Sequence, residues 1–288
     1  METNPTRRES FDIEGCRISA VVAGSRDNPA VLLLHGFPNS SRGFRDIIPR
    51  LSEVCFVIAP DLPGSGQSEL IANPSFTRFA DLIEGLLEKL GVGSAYFYVH
   101  DYGAPVALDL AMRDPRRVLG LIIQNANAHR TGWGPGWRDT IDYWNAPSKE
   151  AEQRATTHLT FEGVRDQYIG GIPDDIASRI SADNWIEDWR TMSQPGHLDL
   201  QRALLADYGR YAGRFGEIAQ YLRERQPPAL LLWGRHDIFF DCAEILSWLQ
   251  DLPRMEAHVL DGPHLLLETH AEYCAELIVD FVRRGGGS

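Results

Sequence analysis

The chain has 288 residues, 43% hydrophobic and 24% charged, enough to bury a full core and suited to one large α/β domain with an insertion rather than two independent domains. A formal net charge of −12 argues against nucleic acid and anionic membrane surfaces as partners and favours a small, neutral or weakly charged ligand. The opening METNPTRRES carries arginines with no apolar run behind them and does not read as a secretory signal. The longest apolar stretches, such as Ala229–Trp233, are too short to span a bilayer. Four cysteines, Cys16, Cys55, Cys242 and Cys274, show no C-x-x-C pairing and read as reduced, mostly buried thiols of a cytoplasmic protein. Monomer and homodimer are both compatible with the sequence.

In chain order, Phe11–Ile13 and Arg17–Ala23 read as a leading hairpin. Ala30–Leu34, Cys55–Ala59, Ala95–Val99, Val118–Gln124, Ala229–Trp233 and Ala257–Val259 follow as core strands. Helical patterns at Phe79–Leu90, Ala104–Arg113, Ala243–Leu249 and Ala271–Val282 alternate with them, which predicts a mostly parallel sheet with helices on both faces. Asp114-Pro115 stops one helix, because proline lacks a donor and restricts its predecessor. The alternation breaks in a stretch rich in Trp and Tyr, predicted to be a helical lid over the carboxyl ends of the strands, where ligands of open α/β sheets bind. The expected division is a core of residues 1–128 and 213–284, a helical cap of 129–212 and a linker-like tail of 285–288.

Strand Ala95–Val99 runs through His100-Asp101-Tyr102-Gly103 into a helix. A sharp strand-to-helix turn lifts its central residue above the sheet and needs small neighbours, so Asp101 stands where such an elbow holds its nucleophile. Taken alone, Asp101 reads equally well as a helix cap, and Val99 is bulkier than the glycine usual two residues before a nucleophile. Three further pieces bear on it. Leu32–Leu34 leads into His35-Gly36-Phe37-Pro38, so the amides of Phe37 and Tyr102 are the expected oxyanion-hole donors. Asp237 follows a late core strand in WGRHD. His264 lies in the loop after the last strand in DGPH. The order nucleophile, acid, histidine is that of an elbow-type hydrolase, with Asp237 orienting His264 and His264 acting as base. The Gly64-Ser65-Gly66 segment lacks the G-x-S-x-G spacing and reads as a tight loop; no G-x-S-x-G occurs in the chain. No histidine or cysteine spacing suggests zinc, and no cofactor is expected.

Together HGFPNSSRGF, APDLPGSGQS, HDYGAPVAL, WGRHD and GPHLLLETH resemble the epoxide hydrolase and haloalkane dehalogenase branch of the α/β-hydrolase superfamily. The likeness covers residues 30–125 and 228–283, with the lid matching only loosely. It implies the α/β-hydrolase fold and Asp101, Asp237 and His264 as a triad, in agreement with the roles read from the residues.

A carboxylate nucleophile suits displacement at saturated carbon, giving an alkyl-enzyme ester that water then hydrolyses. An epoxide leaves as a tethered alkoxide and needs an acid. The resemblance implies two cap tyrosines, with Tyr208 favoured over Tyr143 as candidates and Trp144 kept as an N–H donor. Haloalkane dehalogenases usually place asparagine and tryptophan where this chain has Phe37 and Tyr102, and fluoroacetate dehalogenases usually follow the nucleophile with arginine. Epoxide opening on a small hydrophobic substrate is therefore the leading expectation, with haloalkane or haloacid dehalogenation and a non-catalytic hydrolase-fold binder as alternatives. His35, Pro38, Trp144 and His197 are expected around the pocket.

Overall fold

The computed structural model describes residues 6–285, so the expected tail beyond Gly285 lies outside the described residues. Eight strands form one sheet: β1 (Arg7–Ile13), β2 (Cys16–Ala23), β3 (Ala30–Leu34), β4 (Phe56–Pro60), β5 (Ala95–His100), β6 (Val118–Gln124), β7 (Ala229–Gly234) and β8 (Glu256–Leu260). Their spatial order is β1-β2-β4-β3-β5-β6-β7-β8. The β1/β2 and β2/β4 pairs are antiparallel and all the others parallel.

The central strands β3, β4, β5 and β7 are buried along their whole length, as a parallel sheet covered on both faces requires. Strand alternation sorts their side chains into two layers. Leu32, Leu34, Phe97, Val99, Leu121, Ile123, Leu231 and Trp233 join one core, together with helices Phe76–Leu90, Gly103–Arg113 and Phe215–Arg225. Val31, Leu33, Tyr96, Tyr98, Ile122, Leu230 and Leu232 join the other, under helices Ile48–Leu51 and Leu267–Arg283.

Three boundaries differ from the sequence reading by three residues or more, each for a local reason. The first strand begins at Arg7, because Arg7–Ser10 pairs with Ala20, Val21, Val22 and Ser19 at an edge where polar residues hide the strand pattern. Its Arg8 reaches the buried Asp61 at 2.6 Å. Helix Phe76–Leu90 starts earlier than expected, because Ser75 caps it through the Arg78 amide. The last helix begins at Leu267, and a non-helical His270 (φ −130°, ψ 25°) interrupts the pattern near its start.

The spatial order places β4 on one side of β3 and β5 on the other. The carboxyl ends of β3 and β5 therefore flank the switch point at which such sheets open a crevice. Between β6 and β7 the described residues are mainly helical, including Arg138–Asn145, Lys149–Ala155, Phe161–Ile169, Asp183–Met192 and His197–Gly213. No helix among the described residues is long and apolar enough to cross a membrane.

The start of this helical stretch is clamped to the core by a buried ion cluster. His129 Nδ1 lies 2.9 Å from Glu244 Oε1, and its Nε2 lies 2.9 Å from Asp251 Oδ2. Glu244 also accepts from the amides of Ala128 and His129 and from Thr131, while Arg223 donates to Asp251. Carboxylate oxygens only accept, so both ring nitrogens carry protons and His129 is an imidazolium here. Burial opposes that charge most strongly, but the hydrogen bonds and charges of Glu244 and then Asp251 outweigh it and raise the His129 pKa. A raised folded-state pKa gives stability that is present below the unfolded value of about 6.5 and is lost as pH climbs through the folded value. Chemical denaturation of the wild type and of His129→Gln should show a stability difference that is larger at pH 6 than at pH 9; a pH-independent difference would contradict the imidazolium clamp.

Candidate active site

Asp101 is the first residue after β5 and has φ +48°, a left-handed conformation that costs a non-glycine residue on the order of 1–3 kcal/mol. The turn fits because two glycines make room for it. A Cβ on Gly36 would stand 2.2 Å from the Asp101 Cβ, and one on Gly103 would stand 2.4 Å from the Leu34 carbonyl oxygen. Val99, the residue that departs from the usual elbow pattern, faces the apolar layer and is fully buried there, so its bulk is taken up by the core and not by the turn.

The loop after β3 meets this turn. The Phe37 amide donates to Asp101 Oδ1 at 2.9 Å, and the Tyr102 amide donates to the same oxygen. Burial raises the Asp101 pKa above the ordinary carboxylate value, with the His264 charge and these two amides pulling the other way. Oδ2 lies 3.8 Å from His264 Nε2, too far for a hydrogen bond. That nitrogen is buried and has no partner among the described residues.

His264 Nδ1 lies 2.7 Å from Asp237 Oδ2. Burial is the largest influence on His264 and opposes its charge, but the Asp237 charge, the Asp237 hydrogen bond and the Asp101 charge together raise its pKa. Asp237 is fixed in turn: the Phe239 and Phe240 amides donate to Oδ1 at 2.7 and 3.0 Å, and Asn125 Nδ2 donates to Oδ2 at 2.8 Å. With Nδ1 facing a carboxylate, the neutral imidazole keeps its proton there and leaves Nε2 unprotonated on the side of Asp101.

Asn125, Phe239 and Phe240 were not singled out from the sequence. Asn125 follows β6 with φ +36°. Its side chain also accepts from the Gly234 amide at 2.9 Å, and its carbonyl accepts from the Asp101 amide at 3.3 Å, so it ties the elbow to the acid loop. A polar residue at the end of a buried strand was its available signal. The rings of His100, Phe239 and Phe240 pack on His264 with centroids 4.8, 5.6 and 5.2 Å away.

A cavity of about 280 Å³ opens over Asp101, with Phe37, Tyr102, Trp137, His158, Gln167 and Phe240 among its lining residues. Several expected pocket residues stand elsewhere. Tyr143 does not line the cavity; its helix presents Asp139 and Thr140 there instead, and the tyrosine lies on the side of Glu152. The Trp144 indole N–H is engaged by the Leu205 carbonyl at 2.8 Å, so it is no free donor. His197 is outside the lining. His35 braces the core behind the site, where Nε2 accepts from the Leu62 amide at 2.9 Å and Nδ1 contacts the Gly36 carbonyl. Pro38 faces a separate crevice beside Arg8, Arg42 and the Gly64–Gly66 loop. Tyr208 also stands behind the cavity lining, wholly buried against Tyr102, Trp137 and Trp144, and its hydroxyl has no partner among the described residues. No group of three or more His, Cys, Asp or Glu placed to hold a metal ion occurs among the described residues.

Residues 29–271 match the family model described as alpha/beta hydrolase fold. The chain is 32% identical over 276 residues to the uncharacterized hydrolase YNR064C of Saccharomyces cerevisiae, covering 92% of this chain and 93% of that protein. It is 44% identical over 102 residues to a haloalkane dehalogenase of Bradyrhizobium diazoefficiens, covering 34% of this chain and 32% of that one. The epoxide hydrolase CorEH superposes with a TM-score of 0.78 at 21% identity, over 97% of this chain and 99% of that one. With the eight-stranded sheet and the site at its carboxyl edge, these findings establish the chain as a member of the α/β-hydrolase fold family, among relatives named haloalkane dehalogenase and epoxide hydrolase.

Proposed function

We propose that the protein is an epoxide hydrolase that works through a covalent ester on Asp101, with residues 129–212 acting as its cap. The observation that carries this reading is the unequal treatment of the two Asp101 oxygens. Oδ1 already sits between the Phe37 and Tyr102 amides, while Oδ2 is the oxygen on the His264 side. In the first step Oδ2 attacks an epoxide carbon, the carbon–oxygen bond breaks, and the electron pair stays on the substrate oxygen as an alkoxide. Tyr208 is the candidate acid. A buried hydroxyl without a partner costs roughly 1–3 kcal/mol, and a substrate oxygen would supply that partner by taking its proton.

In the second step His264 Nε2 removes a proton from water, and the hydroxide adds to the Asp101 carboxyl carbon. Negative charge collects on Oδ1, where the two amides stand ready. Collapse of the adduct expels the diol as His264 returns its proton to the departing oxygen, and the proton left on the Asp101 carboxyl goes back to the Tyr208 phenolate, so that both side chains regain their starting states. Asp237 holds the ring in the tautomer that this step needs.

Dehalogenation by the same triad is the second reading, favoured by the relative named haloalkane dehalogenase. Less in the site suits a free halide. Neither Phe37 nor Tyr102 brings a side-chain N–H, and the indole N–H groups of Trp137 and Trp144 are engaged by the Phe239 and Leu205 carbonyls.

Mixing His264→Gln with a terminal epoxide should give a protein heavier by one substrate mass, with the addition on the Asp101 peptide. If no adduct forms with an epoxide panel but one forms with haloalkanes, the second reading replaces the first; no adduct with either panel contradicts the ester route. Tyr208→Phe should lower the rate of ester formation about 10²–10⁴-fold, the usual contribution of a positioned acid. Single-turnover kinetics would show this, and unchanged ester formation would remove Tyr208 from the mechanism. Because His264 must be neutral to act and its pKa is raised, the acid limb of kcat should lie above pH 6.5. In Asp237→Asn that limb should move to lower pH while kcat falls; an unmoved limb would show that another group titrates.

A further inference from the structure

The cavity over Asp101 has a polar side that the triad does not use. Thr140, from helix Arg138–Asn145, and Gln167, from helix Phe161–Ile169, line it with relative exposures of only 6% and 5%. Both are largely withdrawn from solvent and open onto the cavity. His158 joins them from the segment after helix Lys149–Ala155, with its ring edge-on to Phe37 at 5.7 Å. Burial pushes the His158 pKa down to about 4 and its contact with the Ala155 backbone does not restore it, so its ring is uncharged at neutral pH.

The charged residues of this wall stand apart. Arg154 and Asp139 also line the cavity, 3.5 Å from each other and each more than half exposed. They offset one another, which leaves the inner wall neutral and equipped with both donors and acceptors. Buried polar groups in folded proteins find partners. Here three segments bring Thr140, His158 and Gln167 to one small space facing the nucleophile.

We propose that Thr140, His158 and Gln167 form a subsite for an uncharged hydrogen-bonding substituent, a hydroxyl or an amide, carried by the substrate away from its epoxide. The proposal rests on the reading of Asp101 as the nucleophile and adds the class of epoxide it takes. A purely alkyl substrate would displace water from this wall and leave the polar groups unpaired. A substituent of this kind would replace the water's hydrogen bonds, and this is how sites built for a hydroxyl discriminate against analogues without one.

The test is a matched pair, 1,2-epoxyhexane and 5,6-epoxyhexan-1-ol, with hexane-1,2-diol and hexane-1,2,6-triol as product inhibitors. The wild type should show a kcat/KM about tenfold or more higher for the epoxy alcohol, and the triol should inhibit more strongly than the diol. Gln167→Leu and Thr140→Val should pull both ratios toward one, mainly through KM for the epoxy alcohol. A ratio of one in the wild type, or a Gln167→Leu variant that lowers kcat for both substrates alike, would overturn the subsite. The inhibition ratio needs no turnover, so it also judges a variant with low activity. The ester trap in His264→Gln keeps the two levels separate: an ester with both epoxides but no preference refutes only the subsite, and no ester with either refutes the reading beneath it.

Discussion

Two backbone amides, from Phe37 and Tyr102, converge on one oxygen of Asp101, and much of the surrounding structure serves that convergence. The donors come from different strand ends, so they meet only because β3 and β5 are neighbours in a parallel register that pairs Leu34 with Val99. The turn also forces the Asp101 backbone into the left-handed region. Gly36 and Gly103 are then required by contact, since any side chain there would strike Asp101 or Leu34. The strain at one residue is offset by a fully packed sheet, which lets such a turn persist.

The same constraint separates two carboxylates that sequence alone treats as equals. Asp101 and Asp237 flank one imidazole, but Asp237 receives Asn125 and the Phe239 and Phe240 amides in addition to His264. It is held in place and withdrawn from the cavity. Asp101 keeps one oxygen fixed and the other on the side of an unpartnered nitrogen. Environment and not residue type distinguishes the candidate nucleophile from the orienting acid, the general way in which paired carboxylates take different roles.

The strand ends were the legible part of this chain. Ala30–Leu34 is a continuous apolar run and Val118–Gln124 is one up to its terminal glutamine, and the structure keeps both boundaries. Asp101 and Asp237 could be picked out because each follows a buried apolar strand, and His264 because it lies in the loop after the last strand; parallel strands carry their ends to one edge. The helical segment offered no comparable rule. Tyr143, Trp144 and Tyr208 are all aromatic residues of that segment and none lines the cavity, yet Trp144 bonds a carbonyl while Tyr208 is buried without a partner. Those outcomes depend on helix packing that no local pattern records. Asn125 was missed for a related reason: its contacts run to Gly234 and Asp237, far along the chain and adjacent only once β6 and β7 pair.

The account turns on whether an oxygen of Asp101 is exchanged during catalysis. One turnover in heavy-oxygen water, followed by mass spectrometry of the peptide containing Asp101, measures this directly. The ester route requires the label to appear in the Asp101 carboxylate while the first diol released carries the unlabelled oxygen that Asp101 donated. Label found only in the product, together with an active Asp101→Ala variant, would contradict it and make water itself the nucleophile.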